Sequence, residues 1–274
     1  MANCESCPTK NNCESQENCM IENNPWNEVK KVIAVMSGKG GVGKSTVSAL
    51  LAKGLLNKGL KVGILDADIT GPSIPRLLKV RDKKVESSEW GLLPVESEDG
   101  IKVMSLNLLM PDEEQPVIWR GPIISGAVKQ FWKDVYWGDL DYLILDMPPG
   151  TGDVALTVMQ SMPINGMVMV TTPQDMVSMI VAKSINMANT MKIPVIGIIE
   201  NMSYMLCPSC KEKIKIFEDD SLSEFLSRME LQLLAELPMC REIAALAGEK
   251  DWDHPLVMKT IQEAVTKIME YIQD

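Results

Sequence analysis

The most constraining feature of this chain is the regular alternation of short apolar runs with longer helix-like patterns from Val32 onward. The runs are rich in β-branched residues and have the length of buried strands. Stretches with apolar residues at helical spacing separate them. This alternation is typical of βαβ units. It predicts an α/β fold with a mostly parallel sheet and helices on both faces.

The predicted elements follow one another without repeats or a low-complexity linker after residue 30. We expect strands over residues 32–37, 61–66, 142–146, 167–171, 195–200 and 232–237, with a hairpin-like stretch over 92–105. We expect helices over residues 44–57, 125–136, 154–161, 176–191, 221–228, 241–247 and 256–273. The chain is therefore predicted to be one domain over residues 29–274, preceded by a flexible, cysteine-rich tail over residues 1–28.

The charge balance limits the expected partners. The 274 residues include 27 Lys and Arg against 37 Asp and Glu, which gives a net charge of −10. An acidic surface repels nucleic acid and anionic membranes, so we expect neither as a partner. No apolar run reaches the roughly 18 residues of a membrane span, and no export leader opens the chain. These features predict a cytoplasmic protein.

A glycine-rich loop connects the first predicted strand to the first predicted helix. The stretch "GKGGVGKS" over residues 38–45 fits the phosphate-binding pattern G-x-x-x-x-G-K-[ST] in the context that the pattern requires. Glycines let backbone N–H groups converge on phosphate oxygens, and the helix N-terminus adds its positive end. The nucleotide is expected to contact Gly38, Lys39, Gly40, Gly41, Val42, Gly43, Lys44, Ser45 and Thr46. Lys44 would reach the β- and γ-phosphates, and the Ser45 hydroxyl would bind Mg²⁺.

Aspartates at strand ends complete the predicted site. Asp146 ends the strand over residues 142–146, where a Walker-B aspartate holds the magnesium shell. Asp66 ends an earlier strand and is interpreted as structural. Asp68 lies farther along the same loop and is interpreted as the residue that orients the attacking water or a metal-bound water. The predicted Mg²⁺ ligands are therefore Ser45, Asp68 and Asp146, and the predicted catalytic residues are Lys39, Lys44 and Asp68.

A second lysine in the loop narrows the choice among groups of phosphate-loop proteins. Lys39 makes "GKGGVGKS" resemble the deviant Walker A motif of the group that includes the nitrogenase iron protein, the arsenite-pump ATPase and the septum-site ATPase. The resemblance implies an ATP-dependent homodimer. In such a dimer Lys39 would cross the two-fold axis and contact the phosphates held by the partner subunit, in the manner of an arginine finger.

Four further stretches point to one branch of this group. They are "DADITGPSIPRLL", "VIWRGPIISGAVKQFWKDVYWGDLDYLILDMPPGTGD", "TTPQDM" and "ENMSYMLCPSC". They resemble the Mrp/ApbC-type iron–sulfur cluster carriers, relatives of the eukaryotic cytosolic cluster-assembly scaffolds, and with the glycine loop the resemblance covers residues 32 to about 245. It implies that Asn201 hydrogen-bonds the adenine and that residues 150–153 sense the γ-phosphate. It also implies that Cys207 and Cys210 bind the cluster.

The chemistry of the cysteine pair fits this implication but leaves alternatives. A [4Fe–4S] cluster takes four thiolates, and Cys207 and Cys210 offer two, so a two-fold dimer would supply the rest. The stretch "CPSCKEK" also resembles a zinc-ribbon knuckle, and two such pairs would make a tetrahedral zinc site. A thioredoxin-like redox pair is less favoured, because the motif is predicted to follow a strand and not to open a helix.

Four of the seven cysteines lie in the tail, at Cys4, Cys7, Cys13 and Cys19. An odd cysteine count in clustered pairs, without an export signal, favours metal binding over disulfides. The first three match the C-x2-C-x5-C part of the amino-terminal motif of the eukaryotic scaffolds, whose first cysteine has no counterpart here. Cys19 could replace it as a ligand. A second cluster, zinc and no metal all remain open.

Two functional classes follow from these features. The first is a homodimeric ATPase that holds a [4Fe–4S] cluster at its dimer interface and transfers it to apoproteins, with ATP and Mg²⁺ as cofactors, cluster-assembly proteins as further partners, and slow hydrolysis as a switch. The alternative is a partitioning or positioning ATPase with zinc at the cysteine pair. Such proteins usually end in a basic amphipathic helix or display a basic patch. The last predicted helix balances Lys259 and Lys267 against Glu263 and Glu270, which disfavours the alternative.

Overall fold

The computed structural model describes residues 21–68, 73–110, 121–174, 179–210, 212–215, 221–240, 243 and 254–273. Its strands are β1 (Glu28–Ser37), β2 (Val62–Asp66), β3 (Glu86–Ser88), β4 (Gly91–Leu93), β5 (Val95–Glu96), β6 (Lys102–Ser105), β7 (Asp139–Asp146), β8 (Gly166–Thr171), β9 (Val195–Leu206), β10 (Lys213–Ile214) and β11 (Leu233–Pro238). Its helices are α1 (Lys44–Leu56), α2 (Ser73–Leu77), α3 (Gly121–Asp134), α4 (Asp153–Ser161), α5 (Met179–Thr190), α6 (Ser221–Met229) and α7 (Pro255–Gln273), with a 3-10 turn over Leu106–Leu109.

One large sheet organises the domain. Its strand order is β5–β6–β2–β7–β1–β8–β9–β10, and β11 lies beside β9. The strands from β6 to β9 in this order, together with β11, are parallel, whereas β5 and β10 at the two ends are antiparallel to their neighbours. The predicted α/β class with a mostly parallel sheet is confirmed.

The two faces of the sheet carry separate apolar cores. Along β1, Ile33 and Val35 point to a core shared with α1 and α7. Val32, Ala34 and Met36 point to a second core formed with α3, α4, α5 and α6. This alternation follows from the two-residue period of a strand. Helices therefore cover both faces, as predicted, and the loops at the strand ends are left for binding.

Several boundaries differ from the predictions. β1 begins at Glu28 and not at residue 32, because residues 28–31 also pair with β7. β9 continues past Glu200 to Leu206 because this part pairs with β11 and then with β10. The hairpin-like stretch over residues 92–105 is divided, since β4 pairs with β3 while β6 joins the parallel sheet beside β2.

The segment just before β1 contacts the domain. The backbone N–H of Ile21 donates to the Ser161 carbonyl at 3.0 Å, and the Trp132 indole N–H donates to the Ile21 carbonyl at 3.1 Å. The division of the chain at residue 28 stays a prediction. Cys4, Cys7, Cys13 and Cys19 lie outside the described residues, as do the start of the helix predicted over 176–191 and most of that predicted over 241–247. No helix in the described part of the chain combines the length and apolar character of a membrane span.

Candidate functional site

The candidate site lies at the carboxyl edge of the central strands. β1, β7 and β2 are neighbours that end at Ser37, Asp146 and Asp66, and Asp146 is in register with Asp66. Loops that follow parallel strands meet at this edge, where α/β proteins bind ligands. A cavity of about 550 Å³ opens there. Its lining includes Gly40, Gly41, Gly43, Lys44, Ser45, Thr46, Asp68, Arg76, Pro149 and Met202.

The glycine loop has the backbone that phosphate binding requires. Gly41 and Gly43 have φ values of 84° and 83°, in the left-handed region that L side chains rarely adopt. Helix α1 begins directly afterwards at Lys44, and its N-terminus has neither a side-chain cap nor an acidic residue in the first turn. Such a helix end presents N–H groups and a positive dipole to an anion. The loop therefore fits a nucleotide phosphate.

Lys44 is held at the floor of this cavity by two aspartates. Its Nζ donates to Oδ1 of Asp146 at 2.9 Å and lies 3.4 Å from Oδ2 of Asp68. Burial alone would lower the pKa of Lys44, but the charges of Asp146 and Asp68 outweigh burial and raise it above its ordinary value. Lys44 is therefore a cation, as contact with phosphate requires.

Asp146 is fully buried and connects β7 to α1. It accepts hydrogen bonds from the hydroxyls of Ser45 at 2.6 Å and Ser48 at 2.7 Å. Hydroxyl and carboxylate oxygens beside a phosphate site are the donors that Mg²⁺ prefers, so Ser45 and Asp146 fit the predicted ion. Ser48 was not predicted. Its signal was its position four residues after Lys44, which places both on one face of α1.

Asp66 and Asp68 lie in different surroundings at the end of β2. Asp66 is buried, accepts a hydrogen bond from Ser105 Oγ at 3.0 Å, and accepts another from the backbone N–H of Asp68 at 3.1 Å. Burial, and secondarily the charge of Asp146, raises the pKa of Asp66 well above its ordinary value. Asp66 therefore shapes the loop, whereas the side chain of Asp68 lines the cavity.

Two other predicted elements adjoin the glycine loop. The backbone N–H of Gly150 donates to the Ser37 carbonyl at 2.8 Å, which places the predicted γ-phosphate switch beside the end of β1. Asn201 is buried under the loop, where its Nδ2 donates to the Val42 carbonyl at 2.9 Å. Its contact with adenine stays a prediction.

Lys39 lies on the outer side of the loop and is exposed. It lines a second cavity of about 260 Å³ together with Val42, Thr172, Pro173, Gln174, Met202 and Met239. Met202 lines both cavities. Lys44 lines the first cavity and Lys39 lines the second, so the two lysines of the loop face different spaces.

The cysteine pair forms the tip of a hairpin. Cys207 directly follows β9, and β10 returns antiparallel with Lys213 opposite Leu206 and Ile214 opposite Met205. The Cys207 N–H donates to the Glu212 carbonyl at 2.9 Å, which closes the turn. Cys207 is half-buried, Cys210 is exposed, and neither is in a disulfide. Across the described ranges, no three Cys, His, Asp or Glu side chains converge on a common metal position.

Comparison with known proteins identifies the family. The model of the ParA family described as NUBPL iron-transfer P-loop NTPase matches residues 28–274. This chain belongs to that family.

A relative from Clostridium perfringens, named iron–sulfur cluster carrier protein, is 47% identical over 254 residues, which cover 87% of this chain and 89% of the relative. The nucleotide-binding protein of Archaeoglobus fulgidus, solved in complex with ADP, is 44% identical, with a TM-score of 0.72 over 83% of this chain and 92% of its own. The cell division ATPase MinD of Pyrococcus furiosus shares the fold alone, at 20% identity and a TM-score of 0.60 over 89% of this chain and all of its own.

In this member of the family, the structure brings most predicted nucleotide residues together around one loop. The cysteine pair lies apart from that cluster, at the far end of β9. Ser48, Ser105, Met202 and Arg76 also belong to the site, although the sequence did not single them out.

Proposed function

We propose that this protein is an ATP-dependent carrier of iron–sulfur clusters. Two copies would hold a [4Fe–4S] cluster between their cysteine pairs, and the bound cluster would be transferred to recipient apoproteins. The name of the Clostridium perfringens relative and the iron-transfer family support the class of cargo.

One observation carries the proposal. Cys207 and Cys210 present two thiols on a turn outside both apolar cores, and among the described residues no further metal-binding side chain completes a site around them. Because a [4Fe–4S] cluster takes four thiolates, two such turns related by a two-fold axis supply the full set. A cluster shared in this way stays accessible to a recipient.

The face that carries Lys39 has the features of a contact between two copies. Ile180 and Val181 of α5 pack against Gly38, where an added Cβ would lie 3.2 Å from both. Beside them Met179 is 70% exposed and Ile180 45% exposed. Exposed apolar side chains next to a ligand site are typical of protein interfaces. Pairing across this face would bring Lys39 of one copy toward the nucleotide of the other.

Nucleotide would then act as a switch and not as a source of chemical work on the cluster. Lys44, Ser45 and Asp146 are arranged to position phosphate and Mg²⁺, and phosphoryl transfer depends largely on such positioning and on charge stabilisation. We expect slow hydrolysis that changes how the two copies are paired.

The carrier assignment is tested by anaerobic reconstitution with iron and sulfide. Cys207→Ala and Cys210→Ala should lose the iron of the shared cluster, whereas Cys240→Ala should bind as much as the wild-type protein. Cys240 is a matched control, because it is a half-buried cysteine packed against a core. If the Cys207 and Cys210 variants keep the wild-type iron and sulfide content, the assignment fails. Zinc in place of iron in anaerobically purified protein would favour the partitioning-type alternative.

A further inference from the structure

Strand β9 connects the glycine loop to the cysteine turn. Asn201, within the strand, contacts the loop through the Val42 carbonyl, and Cys207 directly follows the last strand residue. At a rise of at most about 3.3 Å per residue, the two positions are no more than about 20 Å apart. A displacement of the loop reaches the thiols through this strand only if the hairpin beyond it is held to the sheet.

The hairpin itself has little backbone support. Strand β10 contains two residues, Lys213 and Ile214, paired with Leu206 and Met205. A two-stranded hairpin this short is marginal in water. Its orientation therefore depends on contacts that its side chains make with the rest of the sheet.

Glu236 supplies such contacts from β11. Its Oε1 accepts a hydrogen bond from Lys215 Nζ at 3.2 Å, and its Oε2 lies 4.0 Å from Lys213 Nζ. The Lys213 ammonium also lies 4.3 Å from the centre of the Tyr204 ring on β9. Glu236 is only about one-quarter exposed, at 24%. Its carboxylate thus joins the return side of the hairpin to the neighbouring parallel strand.

The Glu236 carboxylate also contacts the part of β9 that lies near the glycine loop. The buried hydroxyl of Ser203 lies 3.4 Å from Oε1 of Glu236 and donates to the buried carboxylate of Glu200. Glu200 directly precedes Asn201, which contacts the glycine loop. A contiguous set of contacts therefore runs from the Val42 carbonyl to the lysines that follow the cysteines.

The residue between Asn201 and Ser203 has an unusual backbone conformation. Met202 has a φ of 55°, in the left-handed region, and its side chain lines both cavities at the glycine loop. Such conformations cost free energy and persist where the surroundings enforce them, often at functional sites. A ligand in either cavity would contact this segment of β9 directly.

We propose that Glu236 is a positioning residue that couples nucleotide binding to the cysteine turn. It fixes the hairpin to β11 and, through Ser203, to the segment of β9 that supports the glycine loop. This inference rests on the proposed carrier function. Coupling between two ligands is reciprocal, so ATP would change cluster affinity by the same factor as the cluster changes ATP affinity.

The test compares Glu236→Gln with Asp141→Asn. Both variants remove one negative charge from a carboxylate paired with lysine. Asp141, however, pairs with Lys30 at 2.8 Å near the start of β7, whereas the candidate site lies at the end of that strand. The measurement is the dissociation constant of a fluorescent, non-hydrolysable ATP analogue for the full chain, with and without reconstituted cluster. The ratio of the two constants is expected to be at least about 5-fold for the wild-type protein and Asp141→Asn, and within about 2-fold of unity for Glu236→Gln.

Two controls distinguish coupling from general damage. Glu236→Gln should keep the wild-type iron content and the wild-type affinity of the cluster-free protein for the analogue. The double variant Lys213→Met with Lys215→Met removes the contact from the hairpin side and should give the same ratio as Glu236→Gln. It also replaces that variant in the test if Glu236→Gln does not fold.

The inference is overturned if the cluster binds through Cys207 and Cys210 but Glu236→Gln retains the wild-type ratio. It is equally overturned if the wild-type ratio is unity, or if Asp141→Asn loses the ratio to the same extent. Failure of the carrier function itself has a different signature, because no cysteine-dependent cluster would then form in any variant.

Discussion

The ammonium group of Lys44 lies 2.9 Å from Oδ1 of Asp146, with side-chain exposures of only 6% and 0%. A buried cation and a buried carboxylate are each costly when alone, and the contact between them offsets part of that cost. The pair therefore has two roles. It stabilises the junction of α1 with β7, and it holds the cation where the proposed phosphates would bind.

Lys44 and Lys39, the two lysines of the glycine loop, should respond differently to substitution. Lys44→Met leaves Asp146 without its cation, so we expect the free energy of unfolding to fall by about 3 kcal/mol and ATP binding to be lost. Lys39→Ala removes an exposed side chain and should change the free energy of unfolding by less than about 0.5 kcal/mol. Urea unfolding and calorimetric titration with ATP measure the two effects.

The proposed role of Lys39 in the partner's site adds a kinetic expectation. Lys39→Ala should bind ATP with the wild-type affinity but hydrolyse it on the order of 10³-fold more slowly, as when an arginine finger is removed. ATP-dependent pairing in sedimentation should be lost with it. Wild-type hydrolysis by Lys39→Ala would rule out a role in trans.

The buried carboxyl of Asp66 predicts a pH dependence of stability. Because its pKa in the folded protein lies well above the ordinary value of 3.8, the folded state retains a proton that the unfolded state loses. The stability it contributes is complete below pH 3.8 and is lost as the pH rises toward the folded pKa, by at most about 1.4 kcal/mol per pH unit. Asp66→Asn should remove this loss and be relatively more stable at neutral pH, as measured by urea unfolding between pH 4 and 8.

A half-buried aspartate, Asp141, gives a control of opposite sign. A hydrogen bond from Lys30, and then one from the backbone N–H of Lys61, lowers the pKa of Asp141. Its contribution is present above the ordinary value and is lost as the pH falls through the folded pKa. The free energies of unfolding of Asp141→Asn and of the wild-type protein should therefore differ least at low pH. If Asp66→Asn and the wild-type protein respond to pH identically, the Asp66 carboxyl is ionised in the folded state.

The features that the sequence predicts well are local ones. Strand-like runs, the glycine loop and the aspartates that end β2 and β7 each depend on residues close together in the chain. The positive φ values of Gly41 and Gly43 also follow from their place in the loop. These features set the fold class and the position of the candidate phosphate site.

The features that the sequence does not predict depend on strand order and register. Ser105 reaches Asp66 because β6 lies beside β2, and Glu236 reaches Lys215 because β11 and the hairpin adjoin the same part of β9. The continuation of β9 beyond Glu200 has the same origin, since its polar residues are paired by a strand that comes later in the chain. No local pattern specifies such pairings.

Substitution of Gly43 by alanine tests its close contact with Asn201, and substitution of Gly59 controls for the strain of a left-handed backbone. In Gly43→Ala the Cβ would lie 2.2 Å from Nδ2 of Asn201, and the left-handed φ would also be unfavourable. The loop must then shift from β9, so ATP affinity should fall about tenfold or more, a change of about 1.4 kcal/mol. Gly59→Ala has a similar φ of 80° but nothing within 4 Å, so it should cost only about 1 kcal/mol of stability and leave ATP affinity unchanged. Equal losses of ATP affinity in both variants would contradict the contact with Asn201.

Removal of bound metal distinguishes a carried cluster from a structural ion. Cys207 and Cys210 lie on a hairpin tip that belongs to neither apolar core, so the domain does not depend on their ligand for its packing. After chelation of iron we expect the thermal midpoint to change by less than about 2–4 °C, which corresponds to about 1 kcal/mol. The sedimentation coefficient should fall, because the proposed cluster joins two copies. A structural zinc site contributes folding free energy directly, so a large drop in the midpoint on metal removal would support the zinc alternative.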